Sequence, residues 1–123
     1  SDWADGGWDL EQSKAFAKEL LKLDVDLVDC SSGGNVEKAA IETGPGYQVP
    51  FAAGVKSVGI ATGAVGEITT AEQAETIVRT GQADIVLLAR EMLRDPYWPL
   101  HAAMALKVKA AAPPQYERAY PRS

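Results

Sequence analysis

The chain has 123 residues, 12 basic against 17 acidic, with a net charge of −5 and a single cysteine. That length suits one ordinary domain, and the absence of a basic stripe excludes nucleic acid as the main partner. No run of about 18 apolar residues exists, so no membrane span is expected. One cysteine excludes an internal disulfide and fits a reducing cytoplasm, the expected location.

The first residues, SDWADGGW, read as an acidic, polar loop rather than a signal or transit peptide. Asp9 is placed to cap a helix over LEQSKAFAKELLKL, where Leu10, Phe16, Leu20, Leu21 and Leu23 make an apolar stripe at helical spacing. Val25 to Cys30 (VDLVDC) reads as a short strand, and SSGGNVEKAAIETGPGY as a long loop. Val49 to Val58 suits a short helix with Pro50 in its first turn. GIATGAV is the next strand. EITTAEQAETIVRTGQ then carries the clearest helix signals: Thr69 or Thr70 as cap, Glu72 and Glu75 near the positive end, and Gly81 as the stop. DIVLLA (84–89) is a third strand, EMLRD a helical turn ended by Pro96, and Trp98 to Val108 a last helix. PPQYERAYPRS is a Pro-rich tail.

Helices alternating with strands imply a parallel sheet with right-handed crossovers. Three parallel strands alone would leave two bare edges. A (β/α)8 barrel needs roughly 250 residues. The expected fold is therefore α/β, the last part of such a barrel: residues 1–112 as the partial barrel and 113–123 as a tail.

Ligands of parallel α/β folds bind at the carboxyl ends of the strands. The first strand ends in Cys30-Ser31-Ser32-Gly33-Gly34, the second in Thr62-Gly63-Ala64-Val65-Gly66 and the third in Ala89-Arg90. Small residues at one strand end, a guanidinium at the next and a helix start beside it form the pattern of a phosphate site. Two alternatives remain open. Gly63 and Gly66 can be plain turn glycines, and Arg90 can be a surface arginine answered by Glu91 or Asp95. Cys30 reads as a small apolar filler and His101 as a packing or surface residue. Asp24, Asp26 and Asp29 lack His or Cys partners at ligand spacing, so no metal is expected. No complete acid–base pair is present.

SDWADGGWDLEQSKAFAKEL, VDLVDCSSGGN, GPGYQVPFA, GIATGAVGEITTAEQAE, ADIVLLAREMLRDPYWPL and PPQYERAY, in this order, resemble the C-terminal part of the old yellow enzyme family. The likeness is to its bacterial subclass of short ene-reductases, the xenobiotic-reductase-like type. It implies an FMN-containing (β/α)8 TIM barrel. In that family NAD(P)H reduces the flavin and the flavin reduces an activated alkene such as an enone. By position, VDLVDC would be barrel strand six, GIATGA seven and DIVLLA eight.

The resemblance implies that the FMN phosphate is held by Gly63 and Ala64 on one side and by Ala89 and Arg90 on the other. Many relatives carry Gly where this chain has Ala89, but a backbone N–H survives that change. Ser32 and Gly33 would lie near the phosphate or ribityl chain. QYERAY resembles a subclass tail whose arginine reaches a neighbouring subunit's active site, which implies that role for Arg118, with Tyr116 beside it, and a homo-oligomer. Relatives often have Trp where this chain has Tyr120. The family's flavin-tuning Cys or Thr, its substrate-anchoring His pair, its proton-donating Tyr and a flavin-contacting Gln and Arg belong to the first five strands. None of those segments is here, so the expectation is that this chain starts after strand five and is inactive without that N-terminal part. The alternative is a non-catalytic barrel fragment that binds phosphate or flavin, or self-assembles.

Overall fold

The computed structural model describes residues 1–120. Its helix α1, Leu10–Lys22, starts where the sequence places it. Asp9 accepts from the Gln12 N–H, and the Gln12 side chain accepts from the Asp9 N–H, a reciprocal capping box. Strand β1, Leu27–Cys30, follows. Residues 31–48 then run without helix or strand to α2, Val49–Lys56, with Pro50 in its first turn. Strand β2 spans Ala61–Ala64, and α3 spans Ala71–Arg79 with the Thr70 hydroxyl accepting from the Gln73 N–H. Strand β3 is Ile85–Val86, α4 is Arg90–Arg94, α5 is Trp98–Ala105, and a 3-10 helix covers Pro114–Ala119.

The strands form one parallel sheet in the order β1-β2-β3, with Cys30 opposite Ala64 and Ala64 opposite Val86. The third strand is shorter than the expected DIVLLA. The Leu87 N–H still reaches the Ala64 carbonyl at 2.8 Å, but β2 ends there. Gly66, at φ +115°, then turns the chain away and leaves Leu88 and Ala89 no strand to pair with. The last helix stops at Ala105, short of Val108, where Lys107 adopts a left-handed φ of +56°.

Helix α2 packs against β1 and β2, α1 packs on α2, and α3 packs against β3. The core holds Ala17, Cys30, Val55, Ile60, Ala64, Ile68, Ile77 and Ala83, with Val28, Val86 and Leu88 packed on it. Because strand side chains alternate, the opposite face carries Asp29, Gly63 and Ile85, and there Asp29 and Ile85 are exposed. At the amino ends of the strands, Asp84 ties three elements together. Its carboxylate accepts from the Thr62 N–H at 2.8 Å and from Lys56 Nζ at 2.5 Å. Among the described residues no helix is long and apolar enough to cross a membrane.

Candidate functional site

Parallel pairing brings all three carboxyl ends to one edge, and a cavity of about 580 Å³ opens there. Ser31 and Ser32 enter it after β1, Val65 to Thr69 after β2, and Leu87 to Ala89 after β3. Arg90, Glu91 and Arg94 of α4 close one side, and Pro45, Tyr47 and Gln48 from the long loop close another.

Arg90 is the first residue of α4 and is exposed to this cavity. Among the described residues its guanidinium has no ion-pair or hydrogen-bond partner. Glu91, one candidate to neutralise it, is instead paired with Arg94. Asp95, the other candidate, takes His101 Nδ1 at 2.6 Å and the Tyr97 N–H at 3.0 Å. Ala89 sits at the N-cap of α4 with no side chain able to cap it. Among the described residues the backbone N–H groups of Gly66 and Ala89 also lack acceptors. The cavity therefore offers one free guanidinium and uncommitted N–H groups, with Glu67 as the carboxylate left unpaired by arginine. That donor set suits a compact, multiply charged anion such as a phosphate ester.

Ser32 sits in a tighter network. Its Oγ accepts from Trp3 Nε1 at 2.9 Å and donates to Gln48 Oε1 at 2.7 Å, and its N–H donates to the same oxygen at 2.6 Å. Gln48 Nε2 donates to the Val65 carbonyl at 3.0 Å. The Trp3 ring meets Phe51 edge-on at 5.6 Å, with Tyr47 at 6.3 Å. Trp3 thus both packs and donates.

The other expected site residues lie close by without lining the cavity. Gly33 turns at φ +78° and donates its N–H to the Ser1 carbonyl; a Cβ there would meet Ile41 at 2.5 Å. Gly63 and Ala64 are buried at the end of β2, directly ahead of Val65 and Gly66, which do line it. Gly63 leaves room for Leu87, whose Cδ1 would be 2.5 Å from an added Cβ. Of the expected set, the structure brings Ser32, Ala89 and Arg90 together around one space.

Tyr116 and Arg118 belong elsewhere. The terminal 3-10 helix lies against α5, where Tyr97, Leu100, His101, Pro113, Tyr116 and Tyr120 surround a separate cavity of about 220 Å³. Arg118 is exposed and has no ion pair among the described residues. Cys30 is buried; burial, reinforced by the neighbouring Asp29 charge, pushes its thiol up to about 11, so it is a poor nucleophile at neutral pH.

Sequence reasoning overlooked Gln48. The only signal for it was a polar residue in GPGYQVP, directly ahead of a proline-initiated helix, at a position the fold buries.

Comparison with known proteins adds an independent line. Residues 1–109 match the NADH:flavin oxidoreductase / NADH oxidase family. The chain is 46% identical over 121 residues to an NADPH dehydrogenase of Halalkalibacterium halodurans, covering 98% of this chain and 36% of that protein. It is 49% identical to an NADPH dehydrogenase of Geobacillus thermodenitrificans (98% and 35%) and 46% identical to one of Bacillus subtilis (98% and 36%). The chain thus spans about a third of the length of these curated relatives.

Proposed function

The chain belongs to the NADH:flavin oxidoreductase / NADH oxidase family, and from that premise we propose that it is the FMN-anchoring segment of an NAD(P)H-dependent flavin oxidoreductase. The observation that carries this reading is Arg90, a guanidinium with no partner among the described residues, facing a cavity at the carboxyl ends of parallel strands. The free arginine, Ser32 and the open backbone N–H groups fit the phosphate end of FMN in charge and hydrogen-bonding sense.

In this proposal Arg90 holds the phosphate from the β3 side, with the Ala89 backbone beside it. Val65 and Gly66 approach from β2, continuing from Gly63 and Ala64. Ser32 and Gly33 border the ribityl side. When bound, FMN supplies the relay that carries a hydride from NAD(P)H to an activated alkene. In this reading the residues of this chain anchor and orient the flavin. The groups that polarise the substrate would come from the N-terminal barrel segment, strands one to five, with this chain as strands six to eight. The tail would place Tyr116 and Arg118 at a neighbouring subunit of a homo-oligomer. Both side chains are exposed, which supports that assignment.

One observation favours the second reading for this chain on its own. Among the described residues β1 and β3 each pair on one side only, and Asp29 and Ile85 are exposed on one face of the sheet. By itself such a sheet would self-associate rather than turn over substrate. The test is to purify the complete protein that carries this chain and record flavin absorbance and enone-dependent NADPH oxidation. A yellow protein that consumes NADPH with the enone is expected. A colourless protein that neither takes up FMN nor oxidises NADPH overturns the proposal.

A further inference from the structure

We propose that Gln48 is a positioning residue: its side-chain amide fixes the spacing between the loops after β1 and β2 and thereby sets the shape of the anion cavity. The proposal rests on the reading of that cavity as an FMN site.

Gln48 is 4% exposed and closes the far end of the long loop after β1, yet its side chain is bonded both to the start of that loop and to the loop after β2. Its carbonyl oxygen takes two donors from Ser32, at 2.6 and 2.7 Å, and its amino group reaches the Val65 carbonyl at 3.0 Å. The two ends have opposite demands. One must accept from an N–H and a hydroxyl, and the other must donate to a carbonyl. A carboxamide of this length satisfies both at neutral pH. An ionised carboxylate would aim a second oxygen at the Val65 carbonyl, and a thioether would leave both loops unbonded. A buried backbone group that loses its partner is costly, so the loops would move to recover bonds.

Two further features point to the same role. The Gly46 N–H donates to the Gly66 carbonyl at 3.1 Å, a second stitch between the same segments. At Gly66 a Cβ would lie 2.6 Å from Gln48 Nε2, so the glycine leaves the space the amide occupies. Trp3 completes the knot through Ser32 Oγ. Gln48 thus acts through Ser32 and Val65, both of which line the cavity.

The test uses the complete protein with Gln48→Met and Gln48→Glu, first free of flavin and then titrated with FMN. Hydrogen exchange at the Ser32 amide, read without flavin, is expected to quicken at least ten-fold in both variants. The FMN Kd is expected to rise at least ten-fold in both at neutral pH. As pH is lowered until the introduced carboxyl is protonated, it gains one donor and keeps one acceptor. Gln48→Glu should then approach the unsubstituted protein at the same pH, while Gln48→Met should not. Arg90, Arg94, Glu67, Glu91 and Tyr47 border the cavity in both variants, so their titration cancels in that comparison. Ser32→Ala covers the case in which Gln48→Met fails to fold. It keeps the amide in place, removes one donor, and should raise the Kd two- to ten-fold. An FMN Kd unchanged in the Gln48 variants, or in Ser32→Ala should those not fold, overturns the proposal even if Ser32 exchange quickens. If the unsubstituted protein binds no FMN, the flavin reading fails, and Ser32 exchange alone then decides whether Gln48 couples the loops.

Discussion

Removing the Arg90 guanidinium separates phosphate anchoring from every other part of flavin binding. A bidentate, charge-assisted contact to phosphate is worth about 1.5–3 kcal/mol. Arg90 is exposed, so solvent screening places it toward the lower half, about 2 kcal/mol. At about 1.4 kcal/mol per decade that is roughly a 30-fold rise in Kd. Arg94 cannot substitute without giving up Glu91. No carboxylate among the described residues depends on Arg90, so Arg90→Ala should leave folding stability within about 0.5 kcal/mol. The assay is paired titration of the complete protein with FMN and with riboflavin, which lacks the phosphate. Arg90→Ala should weaken FMN about 30-fold and leave riboflavin nearly untouched, and added salt should narrow the FMN gap. Arg90→Lys should fall between, because an ammonium keeps the charge but not the fork. Equal loss for both ligands, or none for FMN, refutes the reasoning.

Three predictions concern the scaffold and its ionisable groups. Thr62 is fully buried and its Oγ1 has no partner among the described residues, so Thr62→Val should raise stability by about 1 kcal/mol in urea unfolding; destabilisation would mean the hydroxyl is satisfied. Asp84 has its carboxyl held below the usual range, first by the Lys56 hydrogen bond and then by the Thr62 N–H. A depressed folded-state value makes the contribution present above about pH 4 and lost as pH falls through the folded value. Asp84→Asn should therefore cost about 1 kcal/mol at pH 7, discounted for its exposure, and the gap should close in acid; a gap that persists at pH 2 counts against the pair. The Cys30 thiol, at about 11 against an ordinary 9.0, should hold about 100-fold less thiolate at pH 8 than a free thiol. Alkylation by iodoacetamide should be slower by at least that factor and should accelerate toward pH 11. Labelling at the free-thiol rate would place Cys30 outside the core.

What was legible in the sequence follows from how local each signal is. Asp9 and Thr70 announce their helices because a cap needs only the next three residues, and both caps form where expected. DIVLLA carries six residues of strand character, yet two form β3, because a ladder ends where its neighbour ends and β2 turns off at Gly66. Arg90 was legible for the opposite reason. A charge directly after an apolar run is locally out of place, and among the described residues the structure gives it no partner. Gln48 is out of place only in three dimensions. A glutamine in a polar loop is unremarkable until the fold buries it 16 residues from Ser32 and 17 from Val65. Sequence patterns thus expose the groups that would grip a ligand, which break local rules, more readily than the groups that hold the grip in shape. The latter obey every local rule and are recognisable only by burial and by the opposing demands of their partners.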